Sequence, residues 1–270
     1  MSRYATLFGR LRARGEGAFG AFAMLGDPAM SDGLLDELIA AGADMIEVGI
    51  PFSDPVADGP IIQAAARRAL DSGVRVADCF ELIAALRARH SDVPIGILTY
   101  ANIVMARGGF MRDAADAGAD SLLIADVPSI EAEPFVREAE QAGLEPVLIA
   151  AANTPQPALE RIASLSKAYT YCVSRAGITG THDRGRFDSG LIDRLRSAGA
   201  APPVFGFGIA TPEHVREALE SGAAGVICGS AIIDCAVRGG DVINLVGLLK
   251  SSCFNDKVRE RLRGAMIDSP

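Results

Sequence analysis

One short pattern, in which a helix ends at a glycine and a strand follows at once, recurs along the chain. It occurs in AAGADMIEVG (residues 40–49), DAGADSLLIA (116–125) and ESGAAGVICGS (220–230). Glycine is favoured there because the helix ends with a positive φ before the chain reverses. The pattern predicts strands that alternate with helices along the chain.

Short apolar runs between helix-period segments extend this pattern to eight units. We predict strands near residues 18–25, 45–49, 94–98, 120–124, 145–149, 169–173, 203–206 and 225–228. Strands separated by helices pair in parallel through right-handed crossovers. Eight such units favour a closed (β/α)8 TIM barrel, and a doubly wound open sheet is the alternative.

The length and the apolar content of the chain fit one large core. The 270 residues are 49% apolar, and no linker or low-complexity stretch divides them. We therefore expect an α/β fold with a single TIM-barrel domain over residues 1–270. We also expect an extra helix over residues 2–13, before the first strand, and extra helices near the C-terminus.

Charge and cysteine usage exclude several classes of function. The net charge of −8 argues against nucleic acid or an anionic membrane as a partner. The N-terminal residues contain no apolar leader and no apolar run reaches the length of a membrane span, so we expect a cytoplasmic protein. The five cysteines form no C-x-x-C pair and no cluster with the three histidines, which predicts free thiols and no metal site.

Glu47 is a carboxylate inside an apolar strand. Because side chains alternate along a strand, Met45, Glu47 and Gly49 share one face, and Ile46 and Val48 pack on helices. Glu47 therefore points into the barrel, where desolvation raises its pKa and suits it to proton transfer near neutral pH. The competing interpretation is a structural glutamate that is satisfied by neighbouring backbone or tyrosine hydroxyl groups.

The loop over residues 51–60 follows this strand and carries two aspartates, Asp54 and Asp58, between three prolines. Ordinary turn chemistry explains a single aspartate in such a loop. Prolines lower the entropy that a loop loses when it is ordered. A stiffened acidic loop directly above an inward glutamate predicts a functional site.

Three glycine-bearing segments follow the last three predicted strands: SRAGITGTHDRG, FGFGIATPEHV and CGSAIIDCAV. TIM barrels often bind phosphate with the loops after strands 7 and 8 and with the N-terminus of a short helix. Glycines let backbone N–H groups approach the anion. Gly208 and the pair Gly229 and Ser230 therefore predict a phosphorylated substrate that is held without lysine.

The positions of the three lysines argue against imine chemistry. A Schiff-base aldolase needs a lysine inside the barrel. Lys167 precedes strand 6, and Lys250 and Lys257 lie in the terminal helices. Metal-dependent aldol chemistry is also poorly supported, because no histidine lies at a strand end. Acid–base chemistry by carboxylates on a phosphate ester remains.

Motifs in a fixed order between residues 4 and 232 carry a resemblance to a known family. They are FGRLRARGEGAF, LGDP, AGADMIEVGIPFSDPVADGPIIQ, YAN, ADVP, SRAGITG, GFGI and GSAI. With them the chain closely resembles the tryptophan synthase α-subunit family. The resemblance implies retro-aldol cleavage of indole-3-glycerol phosphate to indole and glyceraldehyde 3-phosphate.

The resemblance also implies roles for single residues. Glu47 would be the general acid and base at indole C3 and at the glycerol hydroxyl, and Asp58 would accept the indole N–H and stabilise the positive intermediate. The phosphate site would contain Gly180, Phe207, Gly208, Gly229 and Ser230. The indole pocket would contain Phe22, Leu98, Tyr100, Leu123, Tyr171 and Ile227. Residues 175–190 would form a lid, in which Thr179 meets Asp58.

The partner that the resemblance implies is a β subunit in an αββα complex. That subunit would hold pyridoxal phosphate, and this chain would hold no cofactor and no metal. The residues that match the partner interface are Asp54, Pro55, Asn102 and Pro128. The alternatives are a standalone indole-releasing lyase, a catalytically weak subunit that activates its partner, and, with less support, a phosphate-binding barrel isomerase.

Overall fold

The computed structural model describes residues 2–30, 32–173 and 187–254, which form a closed barrel of parallel strands inside a layer of helices. Its eight strands are β1 Ala18–Met24, β2 Met45–Gly49, β3 Ile95–Thr99, β4 Ser121–Ile124, β5 Glu145–Ala151, β6 Thr170–Val173, β7 Pro203–Phe205 and β8 Gly225–Cys228. Each strand pairs with the next along the chain, and β8 pairs with β1. The prediction of eight strands in a closed barrel is confirmed, and the open sheet is not.

Twelve helices accompany the strands in the described part of the chain. They are α1 Arg3–Arg14, α2 Asp32–Ala40, α3 Pro60–Asp71, α4 Val76–Arg89, α5 Ala101–Ala106, α6 Phe110–Asp116, α7 Glu133–Ala142, α8 Gln156–Leu165, α9 Ser189–Ser197, α10 Pro212–Glu220, α11 Ser230–Val237 and α12 Val242–Ser251. None of them has the length and the apolar run that crossing a membrane takes.

The recurring glycines have the conformation that the sequence pattern predicts. Gly42, Gly118 and Gly222 have φ values of +111°, +96° and +104°. Each lies two residues after the end of a helix and three residues before the first residue of the next strand. The positive φ lets the chain leave the helix and reverse toward the barrel.

The predicted extra helices are present at both ends of the described chain. Helix α1 begins after Ser2, whose hydroxyl accepts the amide of Ala5 at 3.1 Å. It buries Tyr4 and Phe8 on one face, and the Tyr4 hydroxyl bonds Ser121 at the start of β4 at 2.9 Å. At the other end, Lys250 of α12 bonds Asp44, which lies just before β2, at 2.6 Å.

Helix α1 therefore lies against the end of the barrel where the strands begin. The opposite end, where the strands finish, is not covered by α1, and the loops there surround it. In the middle of β2, Glu47 pairs with Phe22 of β1 and Gly96 of β3.

Candidate active site

A cavity of about 230 Å³ opens among the loops that follow the barrel strands. Its wall contains both predicted catalytic carboxylates, Glu47 and Asp58, and it is otherwise apolar or glycine-rich. The remaining lining residues are Phe22, Gly59, Pro60, Ile61, Ile62, Leu98, Tyr171, Gly206, Phe207, Gly208, Ile227, Gly229 and Ser230. Among the described residues, none that lines this wall carries a positive charge, so an anion bound to them would depend on backbone amides and hydroxyl groups.

Glu47 is buried, with 3% of its surface exposed, and its two carboxyl oxygens differ. Oε1 accepts a hydrogen bond from the Tyr169 hydroxyl at 2.7 Å. Oε2 is buried and has no hydrogen-bond partner among the residues that the structure describes. A structural glutamate would have both oxygens satisfied, because an unpaired buried oxygen is costly.

Burial raises the pKa of Glu47 to about 7, and the nearby charge of Asp58 adds to the rise. The hydrogen bond from Tyr169 acts in the opposite direction, because it stabilises the carboxylate form. A carboxyl group with a pKa near neutrality is able both to hold and to release a proton under physiological conditions.

Asp58 is held by its own loop and by strand β3. Its Oδ2 accepts the Tyr100 hydroxyl at 2.8 Å, and its backbone amide donates to the Pro55 carbonyl at 3.0 Å. The Gln63 side chain donates to the backbone carbonyl of Asp58 at 2.8 Å. Burial raises the pKa of Asp58, and the bond from Tyr100 opposes that rise.

The glycine-rich part of the cavity wall comes from the segments that follow β7 and β8. Gly208 has a φ of +77°, a conformation that favours glycine. Gly229 is the N-cap of α11, so Ser230 presents the first turn of that helix to the cavity. Free N–H groups at a helix N-terminus favour an anion.

The apolar wall agrees only partly with the predicted indole pocket. Phe22, Leu98, Tyr171 and Ile227 line the cavity. Tyr100 does not line it and instead lies behind Asp58, to which it donates. Leu123 is buried beside Leu98 in the β3–β4 register and is likewise absent from the cavity wall. Thr179 and Gly180, with residues 175–186 of the predicted lid, lie outside the described residues.

Several residues of the site were not predicted from the sequence. Tyr169 bonds Glu47, and it lies two residues before Tyr171. Strand alternation places both tyrosines on the same face, so that signal could have found Tyr169. Ile61 and Ile62 directly follow the acidic loop and could have been found by extending it. Gly206 matters for space, because a Cβ there would fall 2.0 Å from the Tyr171 ring.

The described lysines lie away from the cavity. Lys167 is 3.9 Å from Glu140 on the exterior, and Lys250 bonds Asp44 at 2.6 Å just before β2 begins. Lys257 lies outside the described residues. Within the described ranges, no group of three or more His, Cys, Asp and Glu side chains is arranged to hold a metal ion.

The predicted partner residues lie in the segments that follow β2, β3 and β4, and Asn102 is in helix α5. Asp54, Asn102 and Pro128 are exposed, and Pro55 is half-buried. The same three segments expose large apolar side chains, and these are Val56 at 81%, Met105 of α5 at 72% and Ile130 at 74%. Adjacent exposed apolar side chains are typical of a protein–protein interface.

Comparison with known proteins identifies the family of this chain. The family model described as tryptophan synthase alpha chain matches residues 8–245. The tryptophan synthase alpha chain of Serratia proteamaculans (strain 568) is 50% identical over 238 residues, which are 86% of this chain and 89% of that protein.

Two solved structures have the same fold. The tryptophan synthase alpha subunit of Legionella pneumophila str. Paris has a TM-score of 0.81 at 28% identity and covers 98% of this chain and 99% of its own. A chain of M. tuberculosis tryptophan synthase, in an aminoacrylate-bound form, has a TM-score of 0.84 at 28% identity over 94% of this chain and 100% of its own. The chain described here therefore belongs to the tryptophan synthase alpha chain family, a family of lyases.

Proposed function

We propose that the cavity cleaves indole-3-glycerol phosphate to indole and glyceraldehyde 3-phosphate, with Glu47 as the acid and base and Asp58 as the electrostatic partner. The observation that carries this proposal is the buried Oε2 of Glu47, which has no partner in the described part of the chain and lies in a cavity that Glu47 shares with Asp58. Membership in the tryptophan synthase alpha chain family supports the same reaction.

The cleavage follows from two proton movements. Protonated Glu47 gives its proton to indole C3, which becomes tetrahedral and leaves a positive charge on the ring nitrogen. Asp58 accepts a hydrogen bond from the ring N–H and stabilises that charge in a dry site. Glu47, now a carboxylate, takes the proton of the adjacent glycerol hydroxyl. The bond between C3 and the glycerol carbon breaks, its electrons return to the ring, and an aldehyde forms.

The phosphate of the substrate occupies the glycine-rich end of the cavity. Backbone N–H groups near Gly208 and at the start of α11 are its ligands, together with the Ser230 hydroxyl. The positive φ of Gly208 and the place of Gly229 as the N-cap of α11 support this assignment. The apolar side chains Phe22, Leu98 and Ile227 contact the indole ring.

The chain works with a tryptophan synthase β subunit in an αββα complex, in the cytoplasm. The β subunit holds pyridoxal phosphate, which joins the indole to an amino acid, and this chain holds no cofactor of its own. The exposed apolar side chains Val56, Met105 and Ile130, next to Asp54 and Pro128, support a partner surface around the mouth of the cavity.

The test is indole release from indole-3-glycerol phosphate by the full chain, alone and titrated with β subunit. Glu47→Gln keeps the volume but cannot exchange the proton, so it should lower kcat at least about 1000-fold, and Asp58→Asn should lower it at least about 100-fold. A matched control is Glu145→Gln, which changes another half-buried carboxyl with a raised pKa, at the first residue of β5. This control should retain wild-type turnover.

The titration also separates the alternatives. Turnover that rises with β subunit supports the complex, and an isolated chain that is already as fast as the complex would favour a standalone lyase. A wild-type chain that accelerates its partner but releases no indole would favour the catalytically weak activator. Normal turnover by Glu47→Gln would refute the acid–base assignment.

A further inference from the structure

Asp126 does not line the cavity, yet it bonds the backbone next to Tyr100, the residue whose hydroxyl bonds Asp58. It follows strand β4, and its Oδ1 accepts the amide of Ala101 at 2.8 Å. Ala101 is the first residue of α5 and comes directly after Tyr100. Asp126 thus satisfies an amide in the first turn of α5 that the helix itself leaves unpaired.

The loop that carries Asp126 is itself anchored to β3. The backbone amide of Ala125 donates to the carbonyl of Thr99 at 2.9 Å, which lies directly before Tyr100. The chain around Tyr100 is therefore held on both sides by consecutive residues of the β4 loop. Tyr100 adopts an extended backbone conformation there, with φ −123° and ψ 151°, before α5 begins.

Tyr100 passes this placement on to Asp58. Its hydroxyl donates to Asp58 Oδ2 at 2.8 Å and accepts the Ala57 amide at 3.3 Å. Its ring packs against Phe52 of the same acidic loop, with centroids 5.1 Å apart. Because a buried phenol ring has few rotamers, the position of its hydroxyl follows the position of its backbone.

We propose that Asp126 is a positioning residue for the carboxylate of Asp58, and that it acts through the Ala101 amide and the Tyr100 hydroxyl. The inference rests on the proposed function, because positioning matters only if Asp58 faces a developing charge. Catalytic hydrogen-bonding groups lose effect when they move by a fraction of an ångström to an ångström. Asp126 touches neither the substrate cavity nor Asp58.

The carboxylate oxygen of Asp126 acts as an acceptor, and its charge is secondary. Burial raises the pKa of Tyr100 above its usual range, with Asp58 the next cause and Asp126 a smaller one. The phenol therefore keeps its proton in either case. Asparagine also accepts an amide hydrogen bond at a helix N-cap, so Asp126→Asn retains the contact and removes only the charge.

The experiment measures kcat and KM for indole release by the full chain, alone and saturated with β subunit. Asp126→Ala should lower kcat about fivefold in both states with little change in KM, the effect of one lost capping interaction. Asp126→Asn should restore kcat to within about twofold of wild type. In a Tyr100→Phe background, Asp126→Ala should add no further loss, because the route to Asp58 is already broken.

A second readout does not depend on turnover. Carboxyl-carbon NMR titration should show that the pKa of Asp58 rises in Asp126→Ala, toward its value in Tyr100→Phe, because the Tyr100 hydrogen bond lowers that pKa. The matched control is Asp241→Ala, which removes a side-chain cap from α12, a bond to the Asn244 amide at 2.9 Å, far from the cavity. It should leave both kcat and the Asp58 titration unchanged.

Three results would overturn the inference: wild-type kcat in Asp126→Ala, an equal loss in Asp126→Asn, or additive losses in the double variant. Failure of the proposed function gives a different result. If the wild-type complex released no indole, that function would fall, while the Asp58 titration would still report whether Asp126 sets the Tyr100 contact.

Discussion

At the scale of single residues, the site depends on the different surroundings of the two carboxyl oxygens of Glu47. Oε1 of Glu47 is bonded to Tyr169, and Oε2 has no partner within residues 2–30, 32–173 and 187–254. The tyrosine opposes the effect of burial on the pKa of Glu47, so it tunes the carboxyl toward neutrality. Burial therefore sets most of the acidity of the proposed catalytic group, and Tyr169, which the substrate need not touch, adjusts it.

Tyr169→Phe should move the pH dependence of turnover upward. Without the hydroxyl, the carboxylate of Glu47 loses a donor, so its pKa should rise by about one unit above its present value near 7. The measurement is kcat/KM as a function of pH. Tyr4→Phe is the matched control, because it loses a buried phenol bond to Ser121 and none to Glu47. An unshifted profile in Tyr169→Phe would contradict the tuning role.

Glu47 should also weaken the fold as pH rises. Its pKa is raised from 4.5 to about 7, so between these values the folded chain binds more protons than the unfolded chain. Stability is then fully retained below pH 4.5 and falls as pH rises through about 7, by roughly 3 kcal/mol. Urea unfolding at pH 5 and pH 8 should show this fall in wild type and a smaller one in Glu47→Gln. Equal falls would assign it to other groups.

At the scale of elements, an ion pair joins the turn after β1 to helix α3, which begins two residues after Asp58. Arg68 donates from Nε to Asp27 Oδ1 at 2.8 Å and from Nη2 to Oδ2. The Asp27 side chain is fully buried, and its Oδ1 also accepts the Ala29 amide. A paired charge of this kind fixes two elements in one relative position, because the buried Asp27 carboxylate is costly without its cation.

Arg68→Met should destabilise the chain by about 3 kcal/mol, because it leaves the Asp27 carboxylate buried and unpaired. Adding Asp27→Asn should recover part of this loss. The neighbouring Arg67→Met is the control, because Arg67 pairs with Asp71 on the surface, where a salt bridge contributes little. Urea midpoints measure all four proteins. A cost for Arg68→Met no larger than that for Arg67→Met would contradict the structural role of the pair.

At the scale of the whole molecule, the proposed active site and the proposed partner surface share one end of the barrel. The segments that follow β2, β3 and β4 place Asp58 in the cavity wall and expose large apolar side chains to solvent. A partner that binds this face contacts the same loops that shape the cavity. Any preference of the partner for one loop arrangement is then coupled, reciprocally, to substrate binding.

Met105→Glu and Ile130→Glu should each weaken binding of the β subunit at least about tenfold, because a charge would be desolvated in the interface. Turnover of the isolated chain should stay near wild type, since neither side chain lines the cavity. Leu248→Glu on α12 is the control, because this leucine is also half-exposed but lies on another face. Calorimetric titration gives the affinities, and equal affinity for all variants would place the interface elsewhere.

Local sequence features were sufficient to determine the architecture. The glycines at 42, 118 and 222 mark where helices give way to strands, and their positive φ is a property of the residue itself. Strand alternation was enough to turn Glu47 inward, because side chains on a strand repeat with a period of two. The positive φ of glycine and the alternation along a strand each depend on only a few neighbouring residues, so both can be predicted from the sequence.

Tertiary structure alone decided which side chains meet. Tyr169 and Glu47 are 122 residues apart, and their bond exists because the barrel closes. Closure and stagger also decide depth, which is why Leu98 reaches the cavity wall and its register partner Leu123 does not. Alternation predicts the face of a side chain, but its height in the barrel and its partner depend on how all eight strands are staggered against one another.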